Sequence, residues 1–129
     1  VWRTLIGGPP IVFTGTSGTA TVMSGQVYVG GSAPGTMSSL DGSTGSMRWI
    51  SPLVDGVHIS PATSANGVVY TTDTDGKLTM WDASGKVLGI RYLASDVGGV
   101  QARQQSANGV TVAYDTVFVP TLNFVVAYQ

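Results

Sequence analysis

The chain has 129 residues, with six basic and seven acidic side chains and no cysteine, and charged residues make up only 10% of it, where soluble domains usually carry roughly 25%. This near-neutral balance, without any Lys/Arg cluster, excludes the electrostatic footprint of a nucleic-acid binder. The missing cysteines exclude disulfides, thiolate metal sites and cysteine nucleophiles, and no apolar run is long enough for a helical membrane span.

In chain order, Val1-Trp2-Arg3 opens the sequence without a methionine or a basic leader. Short apolar runs follow, rich in Val, Tyr, Thr and Trp and bounded by Gly, Asn, Asp or Ser, which is the punctuation of strands. Strands are predicted over Gln26–Gly30, Met37–Leu40, Met47–Ile50, His58–Ser64, Val68–Thr72, Lys77–Trp81, Lys86–Tyr92, Val117–Thr121 and Phe124–Tyr128. No window keeps the spacing of a three-turn helix. Asn66-Gly67 and Asp75-Gly76 suit two-residue hairpin turns, because both dipeptides accept positive φ at little strain. Asp41-Gly42-Ser43-Thr44-Gly45 and Asp82-Ala83-Ser84-Gly85 are longer turns, in which the carboxylate accepts backbone N–H groups and Gly takes the left-handed position. The abundance of Gly, Ser and Thr with few charges leans toward an extracellular or periplasmic address.

A unit recurs along the chain. Ser24-Gly25-Gln26-Val27-Tyr28-Val29 aligns with Asn66-Gly67-Val68-Val69-Tyr70-Thr71, and Leu40-Asp41 aligns with Trp81-Asp82. Tyr28 and Tyr70 are 42 residues apart, the length of one four-stranded propeller blade. Asn108-Gly109 follows Asn66-Gly67 at the same interval, but aligning Val117–Thr121 with Val68–Thr72 places the next strand better. The third copy then carries about six extra residues. The expected fold is all-β: a β-propeller segment of about three four-stranded antiparallel meander blades. Residues 1–15 end a preceding blade, 16–56 and 57–99 form two more, and 100–129 form an incomplete one.

Ser39-Leu40-Asp41-Gly42-Ser43-Thr44-Gly45-Ser46-Met47-Arg48-Trp49 resembles the tryptophan-docking motif of the quinoprotein alcohol dehydrogenase-like (PQQ-like repeat) propellers, Ala-x-Asp-x-x-Thr-Gly-Lys-x-x-Trp. Asp41, Thr44, Gly45 and Trp49 stand in register, whereas Ser39 and Ser46 replace the Ala and Lys. A second copy, Met80-Trp81-Asp82-Ala83-Ser84-Gly85-Lys86, is one residue shorter and lacks the final Trp. Val1-Trp2 resembles the tail of such a motif and Ala127-Tyr128-Gln129 the head of another. The resemblance implies that Trp side chains pack between blades. It also implies that the chain is a segment beginning on an outermost strand and ending after a third strand, and that its partners are the remaining blades or other chains.

The same resemblance implies two functions. One is a secreted scaffold that binds or organises a protein partner, with no catalytic residues in this segment. The other is a fragment of an enzyme that oxidises alcohols or polyols with pyrroloquinoline quinone (PQQ) and calcium, whose cofactor residues lie mostly outside it. No cofactor site or metal site is evident here, so PQQ and calcium are expectations for the parent protein only. In a propeller, the connection from an outer strand to the next inner strand opens on the face where ligands usually sit. Asp55, His58, Asp96 and Arg103 are therefore the candidate axial-face residues, each weighed against an ordinary role in a turn or at a strand edge. Asp73-Thr74-Asp75-Gly76 begins like a calcium loop but lacks the distant bidentate Glu, so a hairpin is expected there.

Overall fold

Alternating runs punctuated by turn formers fold into three antiparallel meanders. The structure, a computed structural model, describes residues 1–6, 19–32, 35–52, 61–73, 75–96, 109–121 and 123–129. The first sheet runs β1 (Thr21–Met23), β2 (Gln26–Ser32), β3 (Gly35–Asp41) and β4 (Met47–Pro52) in spatial order. The second repeats this with β5 (Thr63–Ala65), β6 (Val68–Thr72), β7 (Lys77–Trp81) and β8 (Val87–Tyr92). A one-turn helix, α1 (Leu93–Asp96), leads away from β8. The third sheet has β9 (Thr111–Ala113), β10 (Thr116–Pro120) and β11 (Val125–Tyr128). Three sheets of four, four and three strands match a partial propeller of about three blades.

The expected strands β6 and β7 form over the residues predicted, whereas others shift at their ends. Lys86, Thr121 and Phe124 fall outside strands, and the described part of the predicted His58–Ser64 strand is β5, which begins only at Thr63. Two short inner strands, β1 and β9, form where no strand was expected.

The hairpins joining the first two strands of each sheet use equivalent turns. Ser24 and Gly25 have φ of 51° and 75°, Asn66 and Gly67 have 51° and 82°, and Tyr114 and Asp115 have 52° and 55°. Consecutive positive φ values give a local twist that matches the flanking strands. The third turn is therefore Tyr114-Asp115, not Asn108-Gly109, and it lies 48 residues after Asn66-Gly67. The third copy thus carries the six extra residues inferred from sequence, although its strand starts one residue earlier, at Thr116.

The Asp75-Gly76 reversal is wider than a two-residue turn. Asp73 N–H donates to Lys77 C=O at 3.1 Å and Gly76 N–H to Asp73 C=O at 3.2 Å, with Gly76 at φ 76°. That arrangement carries a Gly bulge on the returning strand. The Asp73 Oδ1 atom accepts the N–H groups of Asp75 and Lys77 at 3.0 and 2.9 Å, and Oδ2 lies 3.4 Å from Lys77 Nζ. Burial raises the Asp73 carboxyl above its ordinary range, while the bonds and charge of Lys77 oppose the shift.

The inner strands hold successive sheets side by side. Thr21 and Ser64 hydroxyls bond at 2.8 Å, Ala62 N–H donates to Thr19 C=O at 3.2 Å, and the Thr63 hydroxyl donates to Val110 C=O at 2.7 Å. Outward from these ties, two apolar cores fill the gaps. One gathers Tyr28, Met37, Ala62, Val69 and Trp81, with Met23 and Trp49 packed against it. The other gathers Leu78, Leu93, Val110, Val119 and Val126, with Tyr70, Val117 and Tyr128 at its margin. Strand β7 contributes Trp81 to the first and Leu78 to the second. That is why a middle strand in this chain is buried along nearly its whole length instead of alternating.

Candidate functional site

The parts of the molecule with the most specific chemistry are the turns between the third and fourth strands. In the first sheet, Asp41 N–H donates to Ser46 C=O and Gly45 N–H to Asp41 C=O, each at 2.8 Å. The Asp41 Oδ1 atom accepts the N–H groups of Ser43 and Thr44 at 2.9 Å and both of their hydroxyls, while Arg48 reaches Oδ2. These donors, led by the Ser43 hydroxyl and Arg48, hold the Asp41 carboxyl well below the usual range. Asp82 repeats the device with the N–H groups of Ser84 and Lys86 and the Ser84 hydroxyl, and its carboxyl is depressed for the same reason.

Each turn of this kind carries an indole from the preceding repeat. The Trp2 Nε1–H donates to Gly42 C=O at 3.1 Å, the Thr4 hydroxyl donates to Gly45 C=O, and a Cβ on Gly45 would overlap the Trp2 ring. One repeat later, Trp49 Nε1–H donates to Ala83 C=O at 2.9 Å, and a Cβ on Gly85 would stand 2.7 Å from Trp49 Cδ2. Gly45 and Gly85, at φ 74° and 88°, thus serve twice, by turning the chain and by leaving room for the ring. Trp49 also stacks on Trp81, with centroids 6.4 Å apart and planes at 25°, and meets Tyr28 at 6.1 Å. Trp81 in turn donates its Nε1–H to the buried Thr71 hydroxyl at 2.9 Å.

The equivalent of Trp49 in the second sheet is Gly89. Trp49 pairs across the strands with Ser39, whereas Gly89 pairs with Met80. A Cβ on Gly89 would lie 2.9 Å from Met80 Cε, so the long side chain has moved to the opposite strand. Sequence reading registered the missing Trp but not this exchange, which only the strand register reveals.

Of the four candidate axial-face residues, Asp96 is described; Asp55, His58 and Arg103 lie outside the described residues. Asp96 closes α1 and accepts the Tyr128 O–H at 2.5 Å. Burial first, and then this carboxylate, raise the Tyr128 phenol above its ordinary range. Leu93 N–H bonds to Gly76 C=O at 2.9 Å, which ties α1 to the Asp73–Gly76 reversal. Among the described residues no three His, Cys, Asp or Glu side chains converge as metal ligands. Asp41, Asp73, Asp82 and Asp96 each accept hydrogen bonds within their own turns or from a neighbouring element.

Repeating meanders joined by indole-on-turn docks define a PQQ-like β-propeller. A family model described as outer membrane protein assembly factor BamB matches residues 1–128, and the chain belongs to that family. No curated protein sequence matches it. Among solved structures, it is similar to BamB from Moraxella catarrhalis, at 17% identity and a TM-score of 0.65, covering 98% of this chain and 38% of that one. It is also similar to a quinohemoprotein alcohol dehydrogenase from Pseudomonas putida HK5, at 18% identity and a TM-score of 0.75, covering 93% and 20%. A europium-containing methanol dehydrogenase gives 19% identity and a TM-score of 0.67, covering 92% and 22%. At such identities the likeness is one of fold, and the chain spans well under half the length of each of these proteins.

Proposed function

We propose that this chain belongs to a noncatalytic propeller that acts as a binding or structural scaffold for protein partners in an extracellular or periplasmic compartment. The observation that carries this reading is how the acidic side chains are used. Asp41 and Asp82 close their own turns, Asp73 holds a third reversal together with Lys77, and Asp96 receives a tyrosine hydroxyl. Such side chains build loops of fixed shape, which is what a recognition surface needs. The family description, which names an assembly factor of the outer membrane, supports both the role and the compartment. Because a closed propeller takes at least about four blades, further blades or further chains pack beside the three sheets. In this reading the blades span 16–56, 57–99 and 100–129, with 1–15 ending an earlier one.

A second reading, a segment of a PQQ-dependent alcohol or polyol dehydrogenase, draws on the close overlay of its backbone with the Pseudomonas putida enzyme. Supplying the whole protein with PQQ and calcium and measuring dye-linked alcohol oxidation separates the two. The scaffold reading expects no rate above the protein-free background; sustained turnover would overturn it in favour of the dehydrogenase.

A further inference from the structure

The hairpins that open the three sheets share a pair of positive φ values but differ in composition: Ser24-Gly25, Asn66-Gly67 and Tyr114-Asp115. Only the middle one sets a carboxamide beside the nitrogen of a glycine. That pairing is chemically labile, because the deprotonated nitrogen of the following residue can attack the asparagine Cγ and close a five-membered ring. A side chain on the following residue hinders the attack, and glycine has none. The surroundings of Asn66-Gly67 add no hindrance of their own. Both residues are exposed, a Cβ on Gly67 would meet nothing within 4 Å, and among the described residues no backbone group bonds the Gly67 N–H. The ring needs a backbone torsion unlike that of a tight hairpin, so the reaction runs through brief opening of the tip. Exposed turns make such local motions most readily.

We infer that Asn66 is a site of spontaneous deamidation, and that its conversion to isoaspartate loosens the ties of β5 to both neighbouring sheets. In the first step the Gly67 nitrogen gives its proton to solvent and bonds to Asn66 Cγ, and the Cγ–Nδ2 bond breaks as ammonia leaves. Water then adds to one of the two carbonyls of the succinimide and opens the ring. Attack at Cγ restores an ordinary main chain with an aspartate side chain. Attack at the main-chain carbonyl yields isoaspartate, whose main chain runs through Cβ and Cγ and is one atom longer. One water is consumed and one ammonia released, with no change of redox state. The extra atom falls in a turn that sets register, here Ala65↔Val68, Ser64↔Val69 and Thr63↔Tyr70. The Ser64 hydroxyl meets that of Thr21 at 2.8 Å on one side, and the Thr63 hydroxyl donates to Val110 C=O at 2.7 Å on the other. A lengthened turn disturbs both ties at once. The inference concerns the lifetime of the fold, and it holds whether the propeller is a scaffold or a dehydrogenase.

The test ages the intact folded protein in warm, mildly alkaline buffer. Trypsin releases Asn66 within the peptide Trp49–Lys77, and mass spectrometry with electron-transfer fragmentation tells isoaspartate from aspartate. Asn66 is expected to convert at least about tenfold faster than Asn123, which Phe124 follows, with isoaspartate among the products. The rate should rise with pH, because the attacking nitrogen is the deprotonated one. Aged wild type is expected to unfold at a lower urea midpoint than fresh protein. Asn66→Ser, which copies the first hairpin, should keep its midpoint through the same treatment. An Asn66 that stays intact in the folded protein, or converts no faster than Asn123, overturns the site. An equal fall in midpoint for aged wild type and aged Asn66→Ser overturns the structural consequence. Where Asn66→Ser does not fold, the isoaspartate form and the unmodified form of wild type, separated by ion exchange, give the same comparison, and equal midpoints overturn it.

Discussion

The two interfaces between the sheets are built to one plan and finished differently. At the first, an indole crosses from one sheet to rest on a turn of the next, and three aromatic rings stand in sequence from Tyr28 through Trp49 to Trp81. At the second, the corresponding position is Gly89, aliphatic residues Leu78, Leu93, Val110, Val119 and Val126 supply the core, and α1 adds Leu93 to it. The difference teaches that the inner-strand ties and the aliphatic packing are enough to set two sheets side by side. The aromatic dock adds a specific fit between a ring and a glycine.

The comparison can be broken first at Trp81. It is 2% exposed, its ring stacks on Trp49 across the first interface, and its Nε1–H donates to Thr71 within its own sheet. Trp81→Ala should destabilise the protein by about 3–5 kcal/mol, read as a lower midpoint in urea unfolding. A loss under 1 kcal/mol would show that the first interface does not rest on its rings.

Two glycines with similar backbones sharpen the contrast. Gly67 has φ 82° and open space where a Cβ would go, whereas Gly85 has φ 88° and the Trp49 ring there. Gly67→Ala should destabilise by about 1 kcal/mol, from backbone strain alone. Gly85→Ala should destabilise by about 2–3 kcal/mol, because overpacking adds to that strain. Equal effects in thermal unfolding would argue against the dock.

A gain is expected at the third hairpin. Tyr114 and Asp115 hold positive φ without being glycine, and Tyr114 is 95% exposed, so no packing compensates for the strain. Changing the pair to Asn-Gly, the composition of the second hairpin, should raise stability by about 1 kcal/mol, seen as a higher unfolding midpoint.

The smallest effect concerns pH. Because the folded-state pKa of Asp41 is depressed, its contribution is present above the unfolded value of about 3.9 and is lost as pH falls through the folded value. The stability gap between wild type and Asp41→Asn should therefore shrink between pH 5 and about pH 2.5, measured as urea midpoints at the two values. The exposure of this turn keeps the whole effect modest.

How much of this was legible in the sequence depended on the length of each signal. Strands β6 and β7 were read to the residue because five-residue runs rich in β-formers sit between turn formers. The turns at Asp41 and Asp82 were read because a carboxylate followed by Gly at the right distance has one common use. Strands β1 and β9 were missed, since three residues such as Thr21–Met23 or Thr111–Ala113 are too short to show alternation. The Tyr114-Asp115 hairpin was missed because neither residue advertises a positive φ. Asp73–Gly76 was read as narrower than it is, because Asp75-Gly76 matches a two-residue turn and nothing in the sequence shows that Asp73 pairs with Lys77. The exchange of Met80 and Gly89 was invisible for a different reason: it is a relation between two strands, and it exists only once the register, with its bulge beside Trp81, is set.

A double-mutant cycle on Trp49 and Gly85 tests most directly whether one repeat holds the next by a ring seated on a turn. If it does, the added methyl of Gly85→Ala should destabilise much less in the Trp49→Ala background than in wild type, leaving a coupling of about 1 kcal/mol or more. Strictly additive losses would mean that the ring and the turn do not meet.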